Sequence, residues 1–372
     1  MKLLKVIASH FKNCEDNFEI SMVPIARKTT EDKEYELVEV TDGLYAFSTV
    51  GVVGKNASGK TSVMELLSLS NEILGTLRVE KKTYSVNGIK LTLVIFHEGY
   101  IYRYSLELEE SNQGGKTIVL FKNQAVWKKK YYKSKVNDIF SDEGFELDPQ
   151  EGDLPEDTSA IFFVTGGIRT NALFFNSLDI GSLAYDFAFG AQKAFHISSD
   201  VMLKILRVFD ENIDKLEMLE DNYFRLTFSG KEEVLSDQEL YYRLSSGTTK
   251  GIVLYMLVVL SLTNGFDLIV DEIENHFHKT LVENIITLYK DRSVNKKGAT
   301  LIFATHYCEI LDLFGRQDNI YITKSDDKVH ISNMYRDYDV RPELLKSKQF
   351  YNDVFKTAVN YEALMDLKKE LK

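Results

Sequence analysis

Eight consecutive residues, Gly54-Lys55-Asn56-Ala57-Ser58-Gly59-Lys60-Thr61, leave this sequence few folds to choose from. They match G-x-x-x-x-G-K-[ST], a loop whose glycines let successive backbone N–H groups turn inward around a phosphate. Upstream, LYAFSTVGVV (Leu44 to Val53) is apolar and reads as a strand; downstream, TSVMELLSLSNEIL carries apolar residues at helical spacing. The helix that begins at the loop adds the partial positive charge of its N-terminus. In this pattern Gly54 to Ser62 cradle a nucleotide, Lys60 reaches the β- and γ-phosphates, and the Thr61 hydroxyl ligates Mg2+. Strand, loop and helix in this order predict an α/β protein.

The remaining pattern says how the fold is assembled. Lys2 to Ala8 and Phe18 to Val23 read as strands. Between Tyr84 and Trp127, the runs KLTLVIFHEG, YIYRYSLELEE and KTIVLFKNQAVW are separated by glycine-containing turns and predict an antiparallel meander. Residues 142–157 are acidic, hold two of the four prolines and read as a loop. Asp200 to Leu219 is amphipathic and predicts a single helix, followed by strands at Tyr223 to Phe228 and near Val234. The last third alternates: helix from about Thr249, strand Asp267 to Val270, helix His278 to Tyr289, strand Thr300 to Ala304, helix Cys308 to Phe314, strand Asn319 to Thr323. Such alternation implies parallel strands with helices on their faces. The expected division is 1–83 for the first part of the core with the phosphate loop, 84–240 for a meander and helical insertion, and 241–372 for the rest of the core. There are no internal repeats and no sustained heptads, so no coiled-coil arm is expected.

Three further motifs complete the chemistry. Phe266-Asp-Leu-Ile-Val-Asp271-Glu272 is an apolar strand ending in two carboxylates. Asp271 is placed to hold Mg2+, directly or through water, and Glu272 to orient and deprotonate an attacking water. Such a pair alone is often only a helix N-cap; downstream of a phosphate loop it reads as catalytic. Ser245-Ser246-Gly247 opens the buried helix GIVLYMLVVLSL, giving either an anion site at a helix N-terminus or simple capping. Thr305-His306 follows a strand at the end where parallel sheets present their functional groups. His276, His278 and His306 lack the spacing of a transition-metal site, since H-x-H puts its two imidazoles on different helix faces.

Composition bounds the alternatives. With 44% hydrophobic and 27% charged residues the chain is an ordinary globular one, and the net charge of −11 argues against a surface that coats nucleic acid throughout. A local basic stretch, Trp127-Lys-Lys-Lys-Tyr-Tyr-Lys-Ser-Lys135, combines lysines with aromatics and could track a nucleic-acid backbone, or could be a solvated strand edge. The two cysteines, Cys14 and Cys308, belong to no ligand cluster, the N-terminus does not read as a secretory signal, and the apolar run Gly251 to Leu262 is short of a membrane span. A cytoplasmic protein is expected.

The ordered set of phosphate loop, LSSGTTKG, DEIENHFH and LIFATHYCEILD resembles the ATP-binding-cassette (ABC) class of P-loop NTPases, in particular the heads of RecF, SMC-type and OLD-like proteins. The resemblance is closest to the AbiLi-like abortive-infection ATPases with an AAA domain, covers nearly the whole chain, and extends to His10-Phe11-Lys12, to the run from Arg316 to Lys324, and to the tail RPELLKSKQF. It implies an ABC-ATPase head with a mixed, largely parallel core sheet. It further implies a homodimer, or a higher homo-oligomer, that sandwiches ATP. The shared site so implied takes Lys60, Thr61, Asp271, Glu272 and His306 from one subunit and Ser245 and Gly247 from the other, with Ser246 beside them at the nucleotide. The run LSSGTTKG, with Ser245-Ser246-Gly247, resembles the signature turn of that class but lacks the Gly-Gly-Gln of transporters; no Q-loop glutamine can be placed, and Arg169, in FFVTGGIRTN, is read near that region. The OLD nucleases carry a toprim domain; no toprim-like acidic set follows His306, so the resemblance implies an ATPase whose effector, a nuclease or toxin, is separately encoded, in anti-phage defence or abortive infection. The alternatives are a RecF/SMC-like DNA-repair ATPase and a non-hydrolysing ATP-bound scaffold. No guanine-specific Asn-Lys-x-Asp motif is present, and ATP is preferred on the resemblance.

Overall fold

The computed structural model describes residues 1–148, 154–167, 172–176, 181, 183–220, 222–275, 277–341, 344–355 and 361–371. The chain forms two compact units, one of Met1–Thr170 with Phe303–Lys372 and one of Asn171–Ile302.

In the first unit, the strand Thr49–Val53 is buried along its whole length and leads into the phosphate loop and the helix Lys60–Gly75. Ile320–Ser325 runs parallel to it, pairing Ile320 with Gly51, and Val329–Asn333 adds on in the antiparallel sense. Leu301–Thr305 is its neighbour on the other side. A strand buried on both faces needs the continuous Val-rich run seen here.

The same unit holds the meander as a six-stranded sheet. Lys90–His97, Tyr100–Gln113 and Lys116–Lys130 are joined by two-residue turns, Glu98-Gly99 and Gly114-Gly115. All four turn residues have positive φ (44°, 83°, 58° and 82°). That is the turn type whose twist matches antiparallel strands. The N-terminal strands Lys2–Ser9 and Phe18–Ser21 join this sheet at its other edge. Its core gathers Leu4, Val23, Leu44, Val94, Ile101 and Ile139.

In the second unit, Ala172–Asn176 and Asp267–Asp271 pair in parallel, with Asn176 beside Asp271. The helix Ser246–Asn264 is buried over most of its length. It is the one helix among the described residues long and apolar enough to cross a membrane, and 72% of that stretch is buried inside the protein. The helix Ser199–Phe209 packs on it so closely that a Cβ on Gly251 would lie 2.1 Å from the Phe209 ring. A three-stranded antiparallel sheet, Ile213–Met218, Tyr223–Phe228 and Lys231–Ser236, leads into the helix Asp237–Arg243 through a capping box between Ser236 and Glu239.

Two expected elements are corrected. The single helix at Asp200 to Leu219 is a helix, Ser199–Phe209, followed by the strand Ile213–Met218. Ile213 and Leu216 continue the helical spacing, but Asp210 Oδ1 accepts from the Asn212 amide (3.0 Å) and turns the chain. Short polar side chains compete with the helix for backbone groups in this way. The single strand at Leu44 to Val53 is likewise two, divided at Ser48, whose amide donates to the Glu36 carbonyl (2.9 Å). Leu44–Phe47 pairs with Leu37–Thr41, so the two halves serve different sheets. The expected helix at Cys308 to Phe314 is a 3-10 turn, Cys308–Leu313.

Candidate functional site

The phosphate loop is shaped by what surrounds its glycines. A Cβ on Gly54 would lie 2.3 Å from Ser58 Oγ, 2.5 Å from Thr323 Oγ1 and 2.6 Å from the Thr323 carbonyl oxygen. The two hydroxyls, 2.7 Å apart, tie the loop to the adjoining strand across that gap. Ala57 and Gly59 both take positive φ, 58° and 95°. A Cβ on Gly59 would lie 2.2 Å from Val329 Cγ1, so only glycine suits that position.

Lys60 is the first residue of the helix and is buried. Its ammonium donates to the carbonyls of Gly54 and Lys55, both at 3.0 Å, and lies 3.2 Å from His306 Nδ1. For that third contact to be a hydrogen bond from lysine, the imidazole holds its lone pair on Nδ1 and its proton on Nε2. His306 directly follows Leu301–Thr305, and Thr305 Oγ1 accepts from the Tyr307 amide (3.0 Å) as the chain turns away. The structure thus brings together Lys60 and His306, which are 246 positions apart in sequence.

The donor set fits a nucleoside triphosphate with Mg2+. The N-cap of the Lys60–Gly75 helix is Gly59, which has no side chain to cap it, so the loop backbone meets the positive end of the helix directly. Lys60 points its charge into the loop, and Thr61 presents an exposed hydroxyl on the first turn, a hard oxygen ligand of the kind Mg2+ prefers.

The carboxylates stand in the second unit. Asp271 ends the apolar strand Asp267–Asp271 and is 4% exposed. Glu272 follows with φ 50°, a left-handed conformation that breaks the strand. Asn275 fixes the turn twice: its amide donates to the Glu272 carbonyl (2.9 Å) and its Nδ2 to Glu272 Oε2 (3.2 Å). Sequence reasoning missed Asn275 as the side chain that orients Glu272. It also missed Asn176, which ends its strand in register with Asp271. Asn176 follows no turn signal, and the pairing with Asp271 reaches across most of the unit, beyond any local pattern.

Ser245 caps the helix Ser246–Asn264: its Oγ accepts from the Thr248 amide at 3.0 Å and lies 2.7 Å from Thr248 Oγ1. Ser245 and Ser246 are exposed, Gly247 partly so. His278 is an N-cap as well, for Lys279–Lys290. His276 and Arg169 lie outside the described residues.

The basic stretch is largely spent on the protein itself. Lys128 pairs with Asp148 (2.8 Å), Lys133 with Asp42 (2.8 Å), and Lys129 donates to the carbonyls of Asp138 and Ser141 while lying 4.3 Å from the centre of the Phe145 ring. Lys130 and Lys135 stay exposed at a groove of about 420 Å³ that is also lined by Asp138, Glu143 and Glu146.

Among solved structures, an SMC head bound to the C-terminal winged-helix domain of ScpA is 12% identical, covering 90% of this chain and 98% of that one, with a TM-score of 0.43. The cbiO1 protein of Clostridium perfringens, part of the ABC transporter complex cbiONQ, is 13% identical over 86% of this chain and 89% of that one, with a TM-score of 0.29. Neither likeness is strong enough to carry an argument. No curated protein matches. A family model described as "AAA domain, putative AbiEii toxin, Type IV TA system" matches residues 50–312, from the phosphate-loop strand through His306 and well over half of the sequence, and the chain belongs to that family.

Proposed function

We propose that this protein is a Mg2+-dependent ATPase head that closes with a second copy of itself around ATP and so controls a separately encoded effector, a nuclease or toxin, in anti-phage defence or abortive infection. The observation that carries the nucleotide reading is Lys60, buried at the start of the helix that follows the loop, with its ammonium turned onto the carbonyls of Gly54 and Lys55. The family's description, a toxin–antitoxin AAA domain, supports work in a two-component system.

The residues divide the reaction, ATP and water to ADP and phosphate, as follows. Lys60 exchanges carbonyl acceptors for phosphate oxygens and neutralises charge on them. Thr61 and Asp271 would be the residues to hold Mg2+, which would supply charge neutralisation to the phosphates. Glu272, its carboxylate oriented by Asn275, takes the proton of the water whose oxygen attacks the γ-phosphorus as the bond to the β-phosphate oxygen breaks. His306 senses the γ-phosphate, and Ser245 and Gly247 close the site from the other subunit. Support for nucleic-acid contact at Trp127–Lys135 rests on Lys130 and Lys135, since their neighbours are engaged; charge reversal at those two tests it by loss of binding.

Phosphate release at saturating Mg-ATP tests the reading. Lys60→Ala should lose about 10²–10³-fold of the rate, the magnitude of removing one preorganised charge donor. Turnover by Lys60→Ala at the wild-type rate would overturn it.

A further inference from the structure

The Ser246–Asn264 helix is held at its first turn by a residue from outside it. Thr249 donates its amide and its hydroxyl to the Ser245 carbonyl, at 3.0 and 3.2 Å. Having used its one O–H, the Thr249 hydroxyl is left as an acceptor. The group that fills it is the Tyr185 hydroxyl, 2.8 Å away, on the helix Ala184–Ala194. Both Tyr185 and Thr249 are wholly buried. Burial pushes the Tyr185 phenol above its ordinary range, so it stays a protonated donor at any working pH. Its ring packs against Phe224, 5.9 Å between centroids, and Phe189 packs on the same ring at 5.5 Å. The ring is thus placed by apolar contacts that do not need the hydroxyl, while the hydroxyl reaches one acceptor, two bonds from the Ser245 backbone.

We infer that Tyr185 is a positioning residue for the signature turn, setting through Thr249 the place of Ser245 and hence the closing of the ATP site on a second copy of the chain. The inference rests on the shared-site reading given above. The insertion before the signature turn is then more than a spacer. Its helix Ala184–Ala194 packs on Ser246–Asn264 and adds one polar link to the turn, from Tyr185 through Thr249 to the Ser245 carbonyl. A buried hydrogen bond of ordinary strength corresponds to about a three- to tenfold change in rate when its loss is felt in the transition state.

The test uses full-length chains. Tyr185→Phe keeps the ring and should lower kcat about three- to tenfold with ADP affinity unchanged, because nucleotide is held by the phosphate loop. Thr249→Val should give the same loss, add none to Tyr185→Phe, and be rescued in Thr249→Ser. The decisive measurement is mixing. With Lys60→Ala added, a Tyr185→Phe chain forms mixed dimers in which its intact loop meets an intact signature turn, so phosphate release per Tyr185→Phe chain should rise. A defect acting in cis would show no rise. The control mixes Lys60→Ala with Ser245→Ala. A rise in both mixtures supports the inference; a rise in the control alone overturns it and leaves the shared site standing. No rise in either overturns the shared-site reading and the inference with it.

Discussion

Asp237 offers a quantitative test of the packing around the helix that precedes Ser246–Asn264. It is the first residue of the helix Asp237–Arg243 and is 8% exposed, and its Oδ1 accepts no hydrogen bond among the described residues. Asp186 Oδ1 is in the same state. Burial, and then the charge of Asp186, push the Asp237 carboxyl up to about 6. An ordinary Asp ionises near 3.9, and each pKa unit corresponds to about 1.4 kcal/mol. Holding Asp237 ionised at neutral pH therefore costs the fold on the order of 1–3 kcal/mol. The sign is opposite to that of a salt-bridged carboxylate. Between about pH 4 and pH 6 the native state keeps a proton that the unfolded chain has shed, so stability contributed here falls as pH rises through that window and stays low above it. Asp237→Asn removes the penalty. Urea unfolding followed by circular dichroism should show the variant more stable than wild type by on the order of 1–3 kcal/mol at pH 7.5, with the gap closing near pH 4. A variant less stable at pH 7.5, or a gap independent of pH, would refute the argument.

Three further expectations follow from the same geometry. Arg316 is buried and donates to Asp318 through two nitrogens, to Asp32, and to the carbonyls of Ala26 and Arg27; Arg316→Ala should lower the unfolding free energy by about 3–5 kcal/mol, because two carboxylates lose their counter-charge, and Arg316→Lys should not restore it. Gly54→Ala sets a methyl against the Thr323 backbone, so ADP affinity measured by calorimetry should fall at least tenfold while far-UV circular dichroism stays native. Gly251→Ala drives a methyl into the Phe209 ring, and denaturant titration should show a loss of about 1–3 kcal/mol, the usual price of overpacking.

How much was legible in the sequence depended on how far apart the interacting residues lie. The phosphate loop was readable because its chemistry is set by eight adjacent residues and by strand and helix patterns that touch them. The Asp-Glu strand end, the Ser-Gly helix start and the Thr-His step were readable as local motifs, and their kinship with AAA-domain abortive-infection proteins is carried by the family match. The meander was readable because its turns announce themselves with glycine. What stayed hidden was decided at long range. Ala172–Asn176 has no alternation to mark it and is a strand because Asp267–Asp271 pairs with it. Ile213 and Leu216 keep helical spacing, yet they face the core of a sheet completed by Tyr223–Phe228. The basic stretch looked like a free cationic surface, and only the fold shows Asp42 and Asp148 brought to two of its lysines. The contact between Lys60 and His306 was anticipated as membership of one site, but that the lysine also binds its own loop is a property of the folded backbone.

The central claim is that two copies of the chain close around ATP. Its most direct test is the native mass spectrum of Glu272→Gln protein in Mg-ATP, since a chain that binds but does not hydrolyse should preserve the closed state. The account predicts a dimer carrying two ATP molecules, lost when Lys60→Ala is added to the same chain. A monomer carrying ATP would contradict the shared site, and a chain that retains no nucleotide would contradict the ATPase reading itself.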